Sequence, residues 1–123
     1  MPLFYSEDDT DGVVELTIRG MLSRADYAAV LPHMAALMAR HDRVGVVEVV
    51  ESFAGFEDGD IELGVDPAAL KGVGRVALVS DIGWFCPILS KAPGMAGIQV
   101  RSYRLEDLDA ARAWVREGVA ARA

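Results

Sequence analysis

The sequence predicts an α/β fold with a single mixed, mostly parallel sheet flanked by helices. Strand-like apolar runs alternate with stretches of helical periodicity, which is typical of parallel strands joined by helical connections. The run Val44–Val50 is nearly all valine, and a strand that is apolar on both faces is typical of the buried centre of a parallel sheet. The length of 123 residues favours one domain, residues 1–123.

The first two strands are predicted to form a hairpin. Leu3–Ser6 is expected to be an edge strand, and a turn over residues 7–12 that ends in Asp-Gly leads into the strand Val13–Arg19. Apolar and polar residues alternate in this second strand, so one of its faces is expected to be buried.

A helix is predicted after Gly20. Ser23 and Asp26 have the spacing of a capping box. Pro32 cannot donate a backbone hydrogen bond, so we expect either a bend there or a helix whose regular part begins near it. The residues that follow helical spacing are Tyr27, Val30, Leu31, Met34, Leu37, Met38 and His41.

The alternation of strands with helices continues after the valine-rich strand. Asp66 and Pro67 suit the start of a short helix that ends near Gly72. Gly74 is expected to turn the chain into the strand Arg75–Val79.

The last predicted elements are a strand and a helix. Gln99–Tyr103 is the final strand, and Glu106 with Asp107 suits the positive end of the helix that follows. The inner stripe of that helix is expected to comprise Leu108, Ala111, Val115 and Val119, with Trp114 beside it. The whole order is ββαβαβαβα.

Charge and composition exclude several classes of protein. The net charge of -7 argues against nucleic-acid binding, which needs a basic surface, and weakens electrostatic docking on anionic lipid. No run approaches the ~20 apolar residues of a membrane span, and the N-terminal residues do not resemble a signal peptide. We therefore expect a cytoplasmic protein, with peripheral membrane association as an alternative. The single Cys86 cannot form an internal disulfide.

The order and spacing of several short motifs resemble the SpoIIAA-like family of small bacterial proteins, which is related to STAS domains and often called STAS/SEC14-like. The resemblance covers essentially the whole chain and implies a SpoIIAA-type α/β fold. It also implies ligand binding or membrane association near a mobile helical segment, rather than catalysis. The matching pieces are Gly20 with Ser23-x-x-Asp26-Tyr27, Pro32, Val46–Val50 before Phe53-x-Gly55-Phe56, Arg75–Asp81 with Trp84, Val100-Arg101-x-Tyr103, and Ala111-x-x-Trp114.

The same resemblance suggests a regulatory serine. Relatives in the wider STAS class act as anti-sigma-factor antagonists, which are switched by phosphorylation of a serine at the start of the helix after the valine-rich strand. Ser52 carries the hydroxyl near that position. Its neighbours Glu51 and Phe53 do not reproduce the Asp-Ser-Ser-Gly-like pattern of those antagonists.

The strongest candidate for a ligand site follows the strand Arg75–Val79. Ligands of open α/β sheets bind at the carboxyl ends of strands, and Ser80 and Asp81 lie there. Capping of the next helix is the favoured interpretation of Asp81. The apolar side chains that follow would form a pocket wall, a lid or a lipid-inserting surface, or would instead cap the core. They are Trp84, Phe85, Ile88 and Leu89.

Glu48 lies within the valine-rich strand, on the same face as Val46 and Val50. A buried carboxylate must be paired or protonated, and Arg75 and Arg101 are candidate partners on other strands. A structural ion pair or a half-exposed strand end is favoured over a perturbed acid that faces a cavity.

Other polar residues are better explained by structure, and we expect no metal and no cofactor. His33 and His41 lie too far apart on one helix to share a metal, and His41 is interpreted as a packed or helix-end residue. The acidic loop Asp58, Asp60 and Glu62 lacks the full calcium-loop pattern. Cys86 is interpreted as a small apolar side chain, and the run 94–97 as a flexible turn rather than a phosphate cradle.

These observations favour a non-enzymatic binding module. It is expected to hold a small apolar or amphipathic ligand, or to touch a membrane, through segment 82–97. The alternative is a regulatory protein-interaction domain of the STAS kind that uses Ser52. A homodimer or another protein partner is also expected, because exposed aromatic residues often mark interfaces. An enzyme is the least favoured class, because no nucleophile–base pair can be named.

Overall fold

The computed structural model describes residues 3–56, 72–81 and 98–120. A 3-10 turn, Leu105–Asp107, precedes the last helix. The short helix predicted from Asp66 and the apolar stretch 82–90 lie outside the described residues. The elements found are β1 (Leu3–Asp8), β2 (Val13–Ile18), β3 (Met21–Leu22), α1 (Arg24–Arg40), β4 (Val44–Val50), β5 (Gly55–Phe56), β6 (Val73–Ser80), β7 (Gln99–Tyr103) and α2 (Leu108–Ala120).

The main sheet has five strands in the order β1-β2-β4-β6-β7. β1 pairs with β2 in antiparallel orientation, whereas the pairs β2–β4, β4–β6 and β6–β7 are parallel. The prediction of a mixed, mostly parallel sheet is therefore confirmed. β4 lies at its centre and all of its residues are buried, as its valine-rich sequence predicts.

Side chains of β4 alternate between two apolar clusters on opposite faces of the sheet. Val44, Val46 and Val50 belong to the cluster that contains residues of α1, on what we call the α1 face. Val47 and Val49 belong to the cluster that contains residues of α2, on the α2 face. Since fully burying a valine stabilises a protein by about 1.5–3 kcal/mol, both faces of β4 contribute strongly to the core.

The hairpin differs from its prediction at both strand ends. β1 continues past Ser6 to Asp8. Arg40 donates to Glu7 at 3.0 Å and Arg116 donates to Asp8 at 3.4 Å. The strand continues because these arginines offset the negative charges of the two carboxylates. β2 ends at Ile18 rather than at Arg19, and the chain then turns at Gly20, whose φ of 80° few other residues adopt readily.

The capping box at the start of α1 is confirmed. The Ser23 hydroxyl accepts from the Asp26 amide at 3.2 Å, and the Asp26 carboxylate accepts from the Ser23 amide at 2.7 Å. Because this box fixes the helix start at Arg24, the expectation of a regular helix beginning near Pro32 is wrong. The helix continues through Pro32 to Arg40, and the bend stays a prediction.

β6 is longer than predicted, since it runs from Val73 to Ser80. Gly74 does not precede the strand but lies inside it, at a bulge. Val44 pairs with Val73 and Gly45 with Arg75, so Gly74 is the extra residue. A Cβ at Gly74 would lie 2.5 Å from Cδ of the flexible Arg43 side chain, which would have to move to admit a larger residue.

A second, two-stranded sheet is formed by β3 and β5, which the sequence pattern did not predict. Ile18 pairs with Val50 in the main sheet, and Met21 then pairs with Gly55 in the small one. The small sheet therefore continues the pairing of β2 with β4 beyond the carboxyl ends of these strands. The two paired regions are separated by Gly20 in one chain segment and by residues 51–54 in the other.

Candidate functional site at the carboxyl edge of the sheet

Three parallel strands, β2, β4 and β6, end at the same edge of the sheet, which we call the carboxyl edge. Arg19 follows β2, Glu51 and Ser52 follow β4, and Asp81 follows Ser80 at the end of β6. Polar groups from separate parts of the chain therefore meet where open α/β sheets bind ligands.

Asp81 has a structural partner far along the chain. Its Oδ1 accepts a hydrogen bond from the Leu105 amide at 3.0 Å, and Arg104 Nε lies 3.7 Å from the same oxygen. The favoured interpretation, in which Asp81 caps the segment directly after it, did not include this partner. Asp81 satisfies the first amide of the turn that leads into α2, and the segment directly after it lies outside the described residues.

The remaining residues of the predicted ligand site are only partly described. Ser80 is the last residue of β6 and is half-buried. The other predicted ligand residues, Trp84, Phe85, Ile88 and Leu89, lie outside the described residues. Ile98 packs against the core of the α1 face, so the residues on either side of segment 82–97, Asp81 and Ile98, both have fixed partners.

Ser52 is exposed in the connection between β4 and β5. Its hydroxyl oxygen and its carbonyl both accept from the Gly20 amide, each at 3.1 Å, and Ala54 donates to the Gly20 carbonyl at 2.8 Å. Residues 51–56 contain no helix, so Ser52 lies in an extended connection and not at a helix start.

Glu48 is only 2% exposed, but neither arginine proposed as its partner reaches it. In the strand register Glu48 pairs with Leu16 and Leu78, which both belong to the α1-face cluster. Arg75 and Arg101 contact Trp114 of α2 and therefore lie on the α2 face. The proposed pairing is wrong because Glu48 lies on the α1 face, whereas both arginines lie on the α2 face. Side chains along a strand alternate between these two faces.

Sequence reasoning missed an ion pair at the carboxyl edge. Arg19 Nε donates to Glu51 Oε2, and a second guanidinium nitrogen donates to Oε1 at 3.2 Å. These bonds lower the pKa of the Glu51 carboxyl below its usual value. The Arg19 guanidinium also lies 5.0 Å from the ring centre of Phe4, which is 42% exposed.

The signal for this pair was available in the register. Ile18 and Val50 are partners on neighbouring parallel strands, so the next residues, Arg19 and Glu51, come together. Finding the pair from sequence alone requires knowing that β2 and β4 are neighbours.

The α2 face carries a second group of side chains that the sequence did not single out. The guanidiniums of Arg75 and Arg101 lie 4.7 and 4.9 Å from the ring centre of Trp114. Arg75 also donates to the Trp114 carbonyl at 2.8 Å and to Gln99 at 2.9 Å. Tyr103 lies 6.2 Å from the same ring, so Trp114 organises the β7 end of this face.

The two histidines occupy structural positions. His41 follows the last turn of α1, where its amide donates to the Leu37 carbonyl at 3.1 Å, and its ring contacts Asp9 at 3.1 Å. This confirms the interpretation of His41 as a helix-end residue. The ring of His33 lies 5.4 Å from that of Tyr5.

Metal ligation has no candidate in residues 3–56, 72–81 and 98–120, where no three His, Cys, Asp or Glu side chains are grouped suitably. The acidic loop with Asp58, Asp60 and Glu62, as well as Cys86 and the run 94–97, lies outside these ranges. Neither described helix is long and apolar enough to cross a membrane.

Comparison with known proteins places this architecture in a family. A search of the curated proteins found no match. Among solved structures, the chain is similar to an uncharacterized protein of the DUF3478 family with a SpoIIAA-like fold from Shewanella loihica PV-4, with 16% identity, a TM-score of 0.48, and coverage of 92% of this chain and 91% of that one. The family described as SpoIIAA-like matches residues 13–116, and the chain therefore belongs to the SpoIIAA-like family.

Proposed function

We propose that the protein is a non-enzymatic binding module whose segment 82–97 holds a small apolar or amphipathic ligand or touches a lipid surface. The observation that supports this proposal is the fixation of the two residues that flank the segment. Asp81 is held to the Leu105 amide at 3.0 Å, and Ile98 packs against the α1-face core. In the sequence, an apolar run that contains Trp84 and Phe85 follows Asp81, which itself lies at the carboxyl edge.

The surroundings of that starting point favour an apolar occupant. Phe53 follows β4 at the same edge and packs against the α1-face core, and Met21 of the small sheet is 44% exposed. β6 ends at the carboxyl edge, and the neighbouring parallel strand β7 ends there too.

The polar groups at the edge favour binding over catalysis. The Asp81 carboxylate is engaged by Leu105, and the Glu51 carboxylate is engaged by Arg19. Both act as hydrogen-bond acceptors for the protein's own backbone or side chains, which suits a fixed rim around a ligand better than proton transfer.

The test uses the two tryptophans of the chain. Trp114→Phe leaves Trp84 as the fluorescent probe, and Trp84→Phe leaves Trp114 on the α2 face as the matched control. With vesicles of neutral phosphatidylcholine, chosen because the net charge is -7, we expect a blue shift in emission of the Trp84 probe alone. The vesicles should also carry the unaltered protein upward in flotation.

A small ligand is distinguished from a membrane by a second arm. Oleate, used as an amphipathic probe, should remain bound to the unaltered protein in native mass spectrometry and shift the emission of Trp84. Lipid flotation without oleate binding identifies a membrane surface as the partner, and the reverse identifies a small ligand. Absence of both, with no shift for Trp84, overturns the proposal.

A second candidate is a regulatory protein-interaction domain of the STAS kind, switched at Ser52. Its support is the exposure of Ser52 at the carboxyl edge, where a kinase and a partner protein can reach the hydroxyl. Phosphoproteomics of the native protein should then detect phosphorylation of Ser52, and Ser52→Asp should abolish capture of a partner that Ser52→Ala still binds. Equal capture by both variants contradicts this candidate.

A further inference from the structure

Within the described residues, the outer edge of β7 is an unpaired side of the main sheet. β7 is the last strand in the sheet order, and no strand in the described part of the chain pairs with its other side. Residues Gln99–Ser102 are all exposed. An exposed edge presents backbone amides and carbonyls in the spacing that another extended strand can pair with.

The two faces of β7 have different chemistry. Val100, which is 49% exposed, pairs with Val76 and so lies on the α1 face. Arg101 pairs with Ala77 and lies on the α2 face. On the α1 face the strand therefore carries Val100 and the polar Ser102, and on the α2 face it carries the cation Arg101.

Among the described residues, the Trp114 ring orients the Arg101 side chain, but no carboxylate neutralises its charge. Its guanidinium lies 4.9 Å from the ring centre of Trp114, a distance typical of cation–π contacts. Within the described ranges it has no ion pair, whereas Arg112 and Arg116 each bind a carboxylate. A cation held in place by an aromatic ring favours an anionic partner from outside.

A second copy of this chain is disfavoured at the edge in the register centred on Arg101. Antiparallel pairing of two β7 strands about a twofold axis through their centres would place the two copies of Arg101 opposite each other. Like charges directly opposite on neighbouring strands are destabilising. The net charge of -7 adds a general repulsion between copies.

We propose that β7 accepts an extended segment of another protein as a sixth strand of the sheet, with an acidic residue opposite Arg101. Residues opposite each other in a sheet share a face, and their chain neighbours point to the other face. The residues that flank the acid therefore lie on the side of Val100 and Ser102, and the one opposite Val100 is apolar. The inference uses residues of β7 and α2 only and does not depend on the proposed function.

The test uses the peptide acetyl-Thr-Val-Glu-Val-Thr-amide and the unaltered protein labelled with nitrogen-15. We expect its addition to shift the amide signals of residues 99–103 in the NMR spectrum. A peptide with Lys in place of Glu should bind about fivefold more weakly, as for loss of an opposite-charge cross-strand pair. A peptide that is N-methylated at all five residues cannot donate to the strand edge in any register and should not bind.

Charge exchange gives an independent arm. Arg101→Glu should reverse the preference, so that the Lys peptide binds more tightly than the Glu peptide. Arg43→Glu is the matched control, since Arg43 is also exposed and lies before β4 rather than on β7. It should retain the preference for the Glu peptide.

Several results overturn the inference. They are no binding of the Glu peptide, equal affinity for the Glu and Lys peptides, signal shifts away from β7, and binding of the N-methylated peptide. If the Arg101→Glu spectrum shows an unfolded protein, the three peptides with the unaltered protein still decide the outcome.

Discussion

The carboxylate of Asp81 accepts a hydrogen bond from the amide of Leu105 at 3.0 Å. This contact joins the end of β6 to the turn that precedes α2. The first amides of a helical segment have no partner within it, and the local residue at the start of this turn, Arg104, makes no side-chain cap. Asp81 therefore supplies from a neighbouring strand the acceptor that a local cap residue usually provides.

Asp81→Ala is expected to lower the free energy of unfolding by about 1 kcal/mol, the usual cost of removing a helix-cap acceptor. Asp81→Asn keeps a side-chain oxygen that Leu105 can reach and should lose at most half as much. Urea denaturation of the three proteins measures the difference. Equal losses in both variants would mean that the attraction between Asp81 and Arg104, rather than the acceptor, stabilises the junction.

Gly45 marks a close contact between β4 and α2. A Cβ at this position would lie 2.2 Å from Val115 Cγ1, and Val115 is fully buried in the α2-face cluster. Gly45→Ala is therefore expected to cost about 1–3 kcal/mol, as overpacked core substitutions do. Thermal or urea unfolding measures this loss.

The clash with Val115 is tested by a double-mutant cycle. Val115→Ala removes the clashing methyl groups, so Gly45→Ala should cost clearly less in that background. Val14→Ala, a buried residue on the α1 face, is the matched control and should leave the cost of Gly45→Ala unchanged. Additive losses with Val115→Ala would show that the contact does not limit Gly45.

Much of the sheet could be predicted because its signals are local. The run Val44–Val50 indicates a central strand by composition alone, and the capping box of Ser23 and Asp26 fixes the start of α1. The strands β3 and β5 have two residues each, which is too short to show any periodicity. Their pairing depends on tertiary structure.

The candidate site was predictable only in its location. The apolar run of β6 predicts where this strand ends. The partner of Asp81 is distant in sequence, so local spacing could predict only that Asp81 caps the next segment. The proposed pairing of Glu48 with Arg75 failed for a related reason. It requires both residues to lie on one face, and the strand register that decides this is not readable from either strand alone.

Acid should remove the stabilisation from the Arg19–Glu51 ion pair. Hydrogen bonding to Arg19 lowers the pKa of Glu51 in the folded protein below its ordinary value of 4.5. Because the folded state binds this proton less readily than the unfolded state, the pair stabilises the fold above pH 4.5 and loses that effect as the pH falls below it.

Arg19→Gln is therefore expected to be less stable than the unaltered protein at neutral pH, with a difference that shrinks toward pH 3. Urea unfolding at several pH values measures it. Arg43→Gln serves as the control, since no ion pair of Arg43 is found in the described structure, and its effect should not change across this range. A difference for Arg19→Gln that is the same at all pH values contradicts the assignment.

Tyr5 should titrate later than an ordinary tyrosine. Burial is the main cause that raises its pKa from 10.0 to about 12, and the neighbouring Glu7, which accepts from the hydroxyl, adds to this. The neutral phenol is thus favoured by folding, and its stabilising effect is full below pH 10.0 and lost as the pH rises toward 12.

Absorbance titration of the phenolate should show a high-pKa tyrosine that disappears in Tyr5→Phe. Glu7→Gln removes the charge and leaves the burial, so the Tyr5 pKa should fall only part of the way to its ordinary value. Asp109→Asn, a change of the same charge on α2, should leave it unmoved. A complete return to the ordinary pKa in Glu7→Gln would mean that charge, and not burial of the ring beside α1, controls this tyrosine.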